Sequence, residues 1–170
     1  VGETLVEYLI SDGAKVYISD ISEERLQEVS KKYGAIIFDE ADVYSAHVDI
    51  YAPCALGATI NDDTVNRLNC KVIAGAANNQ LSDEVRHGQI LRERGIVYAP
   101  DFLINAGGII NVYAELEKYS RQEIMSKTQN IYNTTLQILE TAAKEDMTTH
   151  FAALKIASQR IEDRKKSSLK

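Results

Sequence analysis

Lys15-Val16-Tyr17-Ile18-Ser19-Asp20 (residues 15–20) is a short run of strand-forming residues that closes on an acid, and helix signals stand on both sides of it. Upstream, the chain opens Val1-Gly2-Glu3-Thr4-Leu5, and Leu5, Leu9 and Ile10 fall at helical spacing. Gly13 then supplies the left-handed turn that ends a helix. Downstream, Ser22 is placed to cap a second helix, with Glu23 and Glu24 in its positive first turn and Gly34 as its stop. Ala35 to Phe38 reads as the next strand. The unit is therefore helix, strand, helix, strand, joined by short turns.

The alternation continues outward from that unit. Residues 48–52 read as a buried strand closed by Pro53, and Asn61, Asp62 and Asp63 are expected to open a short helix reaching about Leu68. Lys71 to Ala74 is a strand running into Gly75. Ser82, Asp83 and Glu84 open a helix that Gly95 stops, and Ile96 to Tyr98 is the last strand. Strands alternating with helices give an α/β fold, a Rossmann-like parallel sheet with helices on both faces. After Asn111 the pattern changes. Ile124, Thr128, Ile131, Thr135, Ile138 and Ala142 recur at steps of four and three, the seam of one long amphipathic helix. Thr148 or Thr149 starts another, with Ala153, Ile156, Ala157 and Arg160 along one side. This C-terminal helical hairpin is expected to pack on a neighbouring domain or subunit. The expected division is 1–112 for the α/β part and 113–170 for the helices. No internal repeat or low-complexity segment is visible.

A parallel sheet of this kind needs a central strand before its first helix, yet here the helix begins at residue 2 or 3. The expectation is a sheet lacking its first strand, in a fragment of a longer polypeptide; the alternative is a fold that starts with a helix. The 170 residues suffice for one domain with a real core, and the formal net charge is −6. An acidic surface has no attraction for nucleic acid or an anionic membrane, so neither is an expected partner. No apolar run approaches the ~20 residues that span a bilayer. Cys54 and Cys70 lack paired metal spacing and are expected to be buried thiols in a reducing, cytoplasmic setting. His47, His87 and His150 are too scattered for a metal site, so no metal is expected, and surface or capping roles are.

Gly2 and Asp20 stand 18 residues apart, at the start of a helix and the end of the next strand. That is the back half of a G-x-G-x-x-G fingerprint, in which the last glycine permits close helix–strand packing and the acid accepts from the adenosine ribose hydroxyls. A carboxylate there also repels a 2′-phosphate, which favours NAD over NADP. The alternative reading of Asp20 is a helix-capping acid. Four further segments lie at strand ends, where open parallel sheets bind ligands: 53–57, 75–80, 99–102 and 105–108. Their small residues let backbone groups approach a flat ring, and Asn78 and Asn79 add amides suited to a carboxamide or a carboxylate. The alternatives are a hydrogen-bonded turn at Asn78-Asn79 and a tight turn at Gly107-Gly108.

Four strings carry a resemblance that spans essentially the whole chain: residues 49–58 (DIYAPCALGA), 72–81 (VIAGAANNQL), 95–101 (GIVYAPD) and 104–112 (INAGGIINV). At these strings the chain resembles the amino-acid dehydrogenases that act on glutamate, leucine, phenylalanine and valine, nearest to the members acting on leucine. The resemblance implies NAD-dependent, reversible oxidative deamination of an L-amino acid to a 2-oxo acid and ammonia. It implies a homo-oligomer, and a catalytic lysine and aspartate in a separate substrate domain. No lysine here matches that role, so no catalytic residue is assigned. Carried over residue by residue, Gly2, Asp20 and Ile21, Ala55 and Leu56, and Ala76, Ala77 and Asn78 correspond to cofactor-binding positions. Asn78, Ile109 and Val112 correspond to substrate-binding positions. Branched aliphatic groups at 109 and 112 suit leucine, isoleucine and valine. The alternatives are a phenylalanine or valine enzyme, and a non-catalytic NAD-binding module.

Overall fold

Ser22 accepts a hydrogen bond from the Arg25 backbone N–H at 3.3 Å, and Gly34 takes φ 78° at the other end, so helix α2 (Glu23–Tyr33) has the boundaries its capping residues dictate. The computed structural model describes residues 1–38 and 43–168. Helix α1 (Gly2–Ser11) precedes strand β1 (Tyr17–Ile18), and strand β2 (Ile36–Ile37) follows α2. Strands β3 (Ile50–Tyr51) and β4 (Val72–Ile73), helix α3 (Glu84–Glu93) and strand β5 (Val97–Tyr98) complete the alternating part. Asp83 caps α3 by accepting from the Arg86 N–H at 2.8 Å.

Every strand pairing among the described residues is parallel. Tyr17 registers with Ile36 in a sheet of β1 and β2, and Ile50, Val72 and Val97 register across a sheet in the order β3-β4-β5. Among the described residues no strand covers the second edge of β1 or of β3. The expected parallel α/β architecture and helical hairpin are both present. The strands are shorter than their apolar runs, two residues each.

Two segments depart from expectation. Residues 61–68 form successive turns rather than a helix, because Asn61 Oδ1 accepts from the backbone N–H groups of Asp63 (3.0 Å) and Thr64 (3.3 Å). A side chain that satisfies the local backbone this way competes with helix formation. The strand at 48–52 is not buried throughout: Ile50 is 52% exposed on the outer strand of its sheet. The cysteines are half-buried free thiols. His87 does cap α3, but from inside: it is 2% exposed, its Nδ1 accepts from the Asp83 N–H (3.1 Å), and Nε2 donates to Asp62 (2.9 Å).

Beyond β5 the chain is helical: α4 (Asp101–Ile104), α5 (Gly107–Glu117), α6 (Arg121–Lys144) and α7 (Thr149–Ser168). Gly107 and Gly108 open α5 rather than forming a tight turn. Glycine's low helix propensity hides such a start in the sequence. Ser120 and Glu123 form a reciprocal capping box at the start of α6. Its expected seam holds, with Ile138 and Ala142 buried against Ala152 and Ala153 of α7. The main core lies under the β3-β4-β5 sheet and joins Ile60, Val65, Leu68, Ile73, Leu81, Leu91, Ile96 and Tyr98. A smaller one joins Val6, Val29 and Ala35 beneath β1 and β2.

Candidate functional site

Parallel strands place their C-terminal ends along one edge of a sheet, so the segments after β3, β4 and β5 gather there. The first two interlock. A β-carbon on Gly75 would stand 2.1 Å from the Pro53 carbonyl oxygen, and one on Gly57 would stand 2.6 Å from the Asn78 carbonyl oxygen. Ala77 N–H donates to Pro53 O at 3.0 Å, and Ala58 N–H donates to Asn79 O at 2.6 Å. Glycine at 57 and 75 is thus a packing requirement. Asn79 adopts φ 51°, a left-handed conformation that asparagine tolerates better than most residues.

Beside this double loop lies a cleft of about 670 Å³. Ala76 and Asn78 line it on one side, and Ile104, Asn105, Gly107, Gly108, Ile109 and Val112 line it on the other. The structure therefore brings together four of the residues singled out in the sequence: Ala76, Asn78, Ile109 and Val112. Gly108 faces open space, which leaves room for a flat ring. Ala77 is buried, 4% exposed, and contributes through its backbone rather than its side chain. Asn105 Nδ2 donates to Asn78 Oδ1 at 2.5 Å, tying the two lips at their rim.

Gly2 lies at the first turn of α1, where its added β-carbon would stand 3.5 Å from Cys54 Cβ, so the helix start abuts the loop after β3. Ala55 and Leu56 lie exposed in that loop, Leu56 at 71%. Asp20 and Ile21 line a separate hollow of about 310 Å³, together with Glu23, Leu26, Gln27, Ile37 and Phe38. Asp20 Oδ1 accepts from the Ser22 N–H at 2.9 Å, so the acid leads the chain into α2, whose N-cap is Ser22 rather than Asp20. Ile21 is 89% exposed above the hollow.

Two buried residues that the sequence placed in these segments without a role fasten the loop that lines the cleft. Gln80 is 0% exposed, and its Nε2 donates to the carbonyls of Gly75 (2.6 Å) and Ala77 (3.0 Å). Its backbone N–H donates to Asp101 Oδ2 at 2.7 Å, and Asp101 Oδ1 accepts from the Phe102 N–H at 2.6 Å. Burial first, and then the adjacent Asp101 carboxylate, push the Tyr98 hydroxyl well above the usual phenol range. The only sequence signal for Gln80 and Asp101 was a polar residue beside an apolar strand end.

The cleft suits the nicotinamide end of a dinucleotide: its volume lies within the usual 300–1,000 Å³ or so of ligand sites, its backbone is open at Gly108, and amides stand at Asn78 and Asn105. A family model described as Glutamate/Leucine/Phenylalanine/Valine dehydrogenase matches residues 7–168. The chain is 46% identical over 163 residues to a leucine dehydrogenase of Thermoactinomyces intermedius, covering 96% of this chain and 44% of that protein. It is 42% identical over 170 residues to an L-tryptophan dehydrogenase of Nostoc punctiforme, covering 100% of this chain and 48% of that one. The crystal structure of L-tryptophan dehydrogenase from Nostoc punctiforme superimposes with a TM-score of 0.93 at 42% identity, over 96% of this chain and 49% of its own. A glutamate dehydrogenase from Peptoniphilus asaccharolyticus shares the fold at 21% identity and TM-score 0.65, over 99% of this chain and 44% of its own. The chain spans less than half the length of the curated relatives named here.

Proposed function

The chain belongs to the glutamate/leucine/phenylalanine/valine dehydrogenase family and has its NAD(P)-binding fold, and from that premise we propose that the whole protein interconverts branched-chain L-amino acids, leucine foremost, and their 2-oxo acids. The amino acid loses a hydride and a proton, and water converts the resulting imine to the 2-oxo acid and ammonia. NAD, when bound, accepts the hydride. The observation that carries this reading is the cleft in which Ala76, Asn78, Ile109 and Val112 meet.

In this reading Gly2 admits the dinucleotide phosphates at the start of α1, and Asp20 and Ile21 receive the adenosine. Ala55 and Leu56 cover the ribose on that side. Ala76 and Ala77 present backbone to the nicotinamide, and Asn78 offers its amide to carboxamide or substrate. Ile109 and Val112 exclude water around an aliphatic side chain. Residues 1–112 carry the dinucleotide, and 113–170, from the middle of α5 onward, are the C-terminal helices that pack on the rest of the protein or on a second subunit. A cytoplasmic homo-oligomer belongs to the same reading. Among the described residues no helix is long and apolar enough to cross a membrane.

An aromatic substrate is the second reading, favoured by the TM-score of 0.93 to a tryptophan dehydrogenase. One experiment separates the two. The intact protein is given NAD with leucine, isoleucine, valine, phenylalanine or tryptophan, and NADH formation is followed by absorbance. The proposal expects the largest kcat/KM with leucine. Discrimination among the aliphatic three should stay within the 10–200-fold or so that a methylene in an apolar pocket supplies. Turnover of aromatic substrates alone would replace this reading with the second, and no turnover of any of the five would refute both.

A further inference from the structure

The Gly75–Asn79 loop is held by a residue whose own chemistry is costly. Gln80 is fully buried, and its Oε1 meets no hydrogen-bond donor among the described residues. A methionine of similar length would avoid that orphaned acceptor, so the carboxamide is worth burying only for what its other end does. That end donates twice, to Gly75 O at 2.6 Å and Ala77 O at 3.0 Å, and so fixes both ends of the tripeptide 75–77. The two carbonyls also settle the orientation of the amide, because the reverse flip would set its oxygen against both of them.

Asp101 then ties that clamp to the opposite lip. Its Oδ2 accepts from the Gln80 N–H at 2.7 Å and its Oδ1 from the Phe102 N–H at 2.6 Å, within the first turn of α4. Four residues on, Asn105 Nδ2 donates to Asn78 Oδ1 at 2.5 Å. The loop and the α4–α5 lip are thus joined twice, at the buried base and at the exposed rim. Each base bond is to a backbone group, so it fixes where the backbone runs.

We propose that Gln80 and Asp101 are positioning residues that set the width of the cleft for the nicotinamide end of the dinucleotide, leaving the adenosine end to other parts of the chain. This rests on the dinucleotide reading of the site given above. A misplacement of about 1 Å at a reacting centre costs about 100-fold in rate, so a base clamp of this kind acts on chemistry without touching it.

The test compares two ligands on the intact protein. NADH occupies both ends of the site and ADP-ribose only the adenosine end. For Gln80→Met, which frees the loop and lowers the fraction of molecules holding the binding geometry, NADH affinity should fall about tenfold or more, while ADP-ribose affinity stays within about twofold. Asp101→Asn, which keeps one oxygen acceptor, should show the same selectivity with a smaller loss. Equal weakening of both ligands, or no change in either, overturns the proposal. Wild-type protein that binds neither ligand overturns the dinucleotide reading and the proposal with it. Should both variants fail to fold, amide exchange in the wild type decides. The Gln80 and Phe102 amides, which donate to the buried carboxylate, should exchange far more slowly than those of Ala76 and Asn78. Fast exchange at Gln80 contradicts the clamp.

Discussion

A β-carbon at Gly75 would collide with the Pro53 backbone at 2.1 Å, and backbone cannot rotate out of the way as a side chain can. Gly75→Ala is therefore expected to destabilise the protein by on the order of 3 kcal/mol, the upper part of the overpacking range. Urea denaturation checks it; a midpoint unchanged from wild type would show that the two loops are not packed as described. Contacts at this scale are the least legible in a sequence. Gly57 and Gly75 stand out as small residues at strand ends, but nothing in their local sequence says that each meets the other's loop. Gln80 and Asp101 were equally silent. A buried polar residue with backbone partners has no spacing rule, because its partners come from distant parts of the chain. Asp20 was readable by contrast, since its two candidate roles both follow from its place between a strand and a cap.

Helix boundaries were written in their caps. Ser22 and Asp83 each accept a backbone N–H at a helix start, and Gly34 and Gly95 turn left-handed after helix ends. Residues 61–68 misled because Asn61 begins a turn as readily as a helix, and only the tertiary setting chooses. Helix α5 was missed because two glycines open it. Between elements, Glu3 of α1 receives Arg25, Lys32 and Tyr33 of α2 at 2.8, 3.0 and 3.2 Å, fastening the start of α1 to the helix that follows Asp20. The hydrogen bond from Lys32, aided by Tyr33 and Arg25, holds the Glu3 carboxyl below its ordinary value of 4.5. A lowered acid contributes stability that is present above its unfolded value and lost as pH falls through the folded one. Glu3→Gln should therefore melt below wild type at neutral pH, with the gap closing as the pH drops below 4.5. Melting curves across that range check it, and a gap independent of pH would show that the cluster is not electrostatic.

Across the whole molecule, the helical hairpin is fastened to the α/β part through the turn between α6 and α7. Thr149 Oγ1 donates to the Tyr98 carbonyl at 2.6 Å, and Arg92 of α3 pairs with Asp146. That attachment joins the start of α7 to the end of β5, three residues before Asp101. The parallel order of the strands and the presence of the hairpin were legible because periodicity and caps repeat along the chain. The separation of the Asp20 hollow from the main cleft was not, because it depends on how segments far apart in sequence meet.

Whether the segments after β1, β3, β4 and β5 together carry one nicotinamide dinucleotide, as proposed, is read from hydrogen exchange of the intact protein with and without NADH. Slowed exchange is expected at residues 20–22, 54–58, 76–80 and 105–109, with the outer face of α7 unchanged. Protection confined to α6 and α7, or to only one of the four loops, would contradict it.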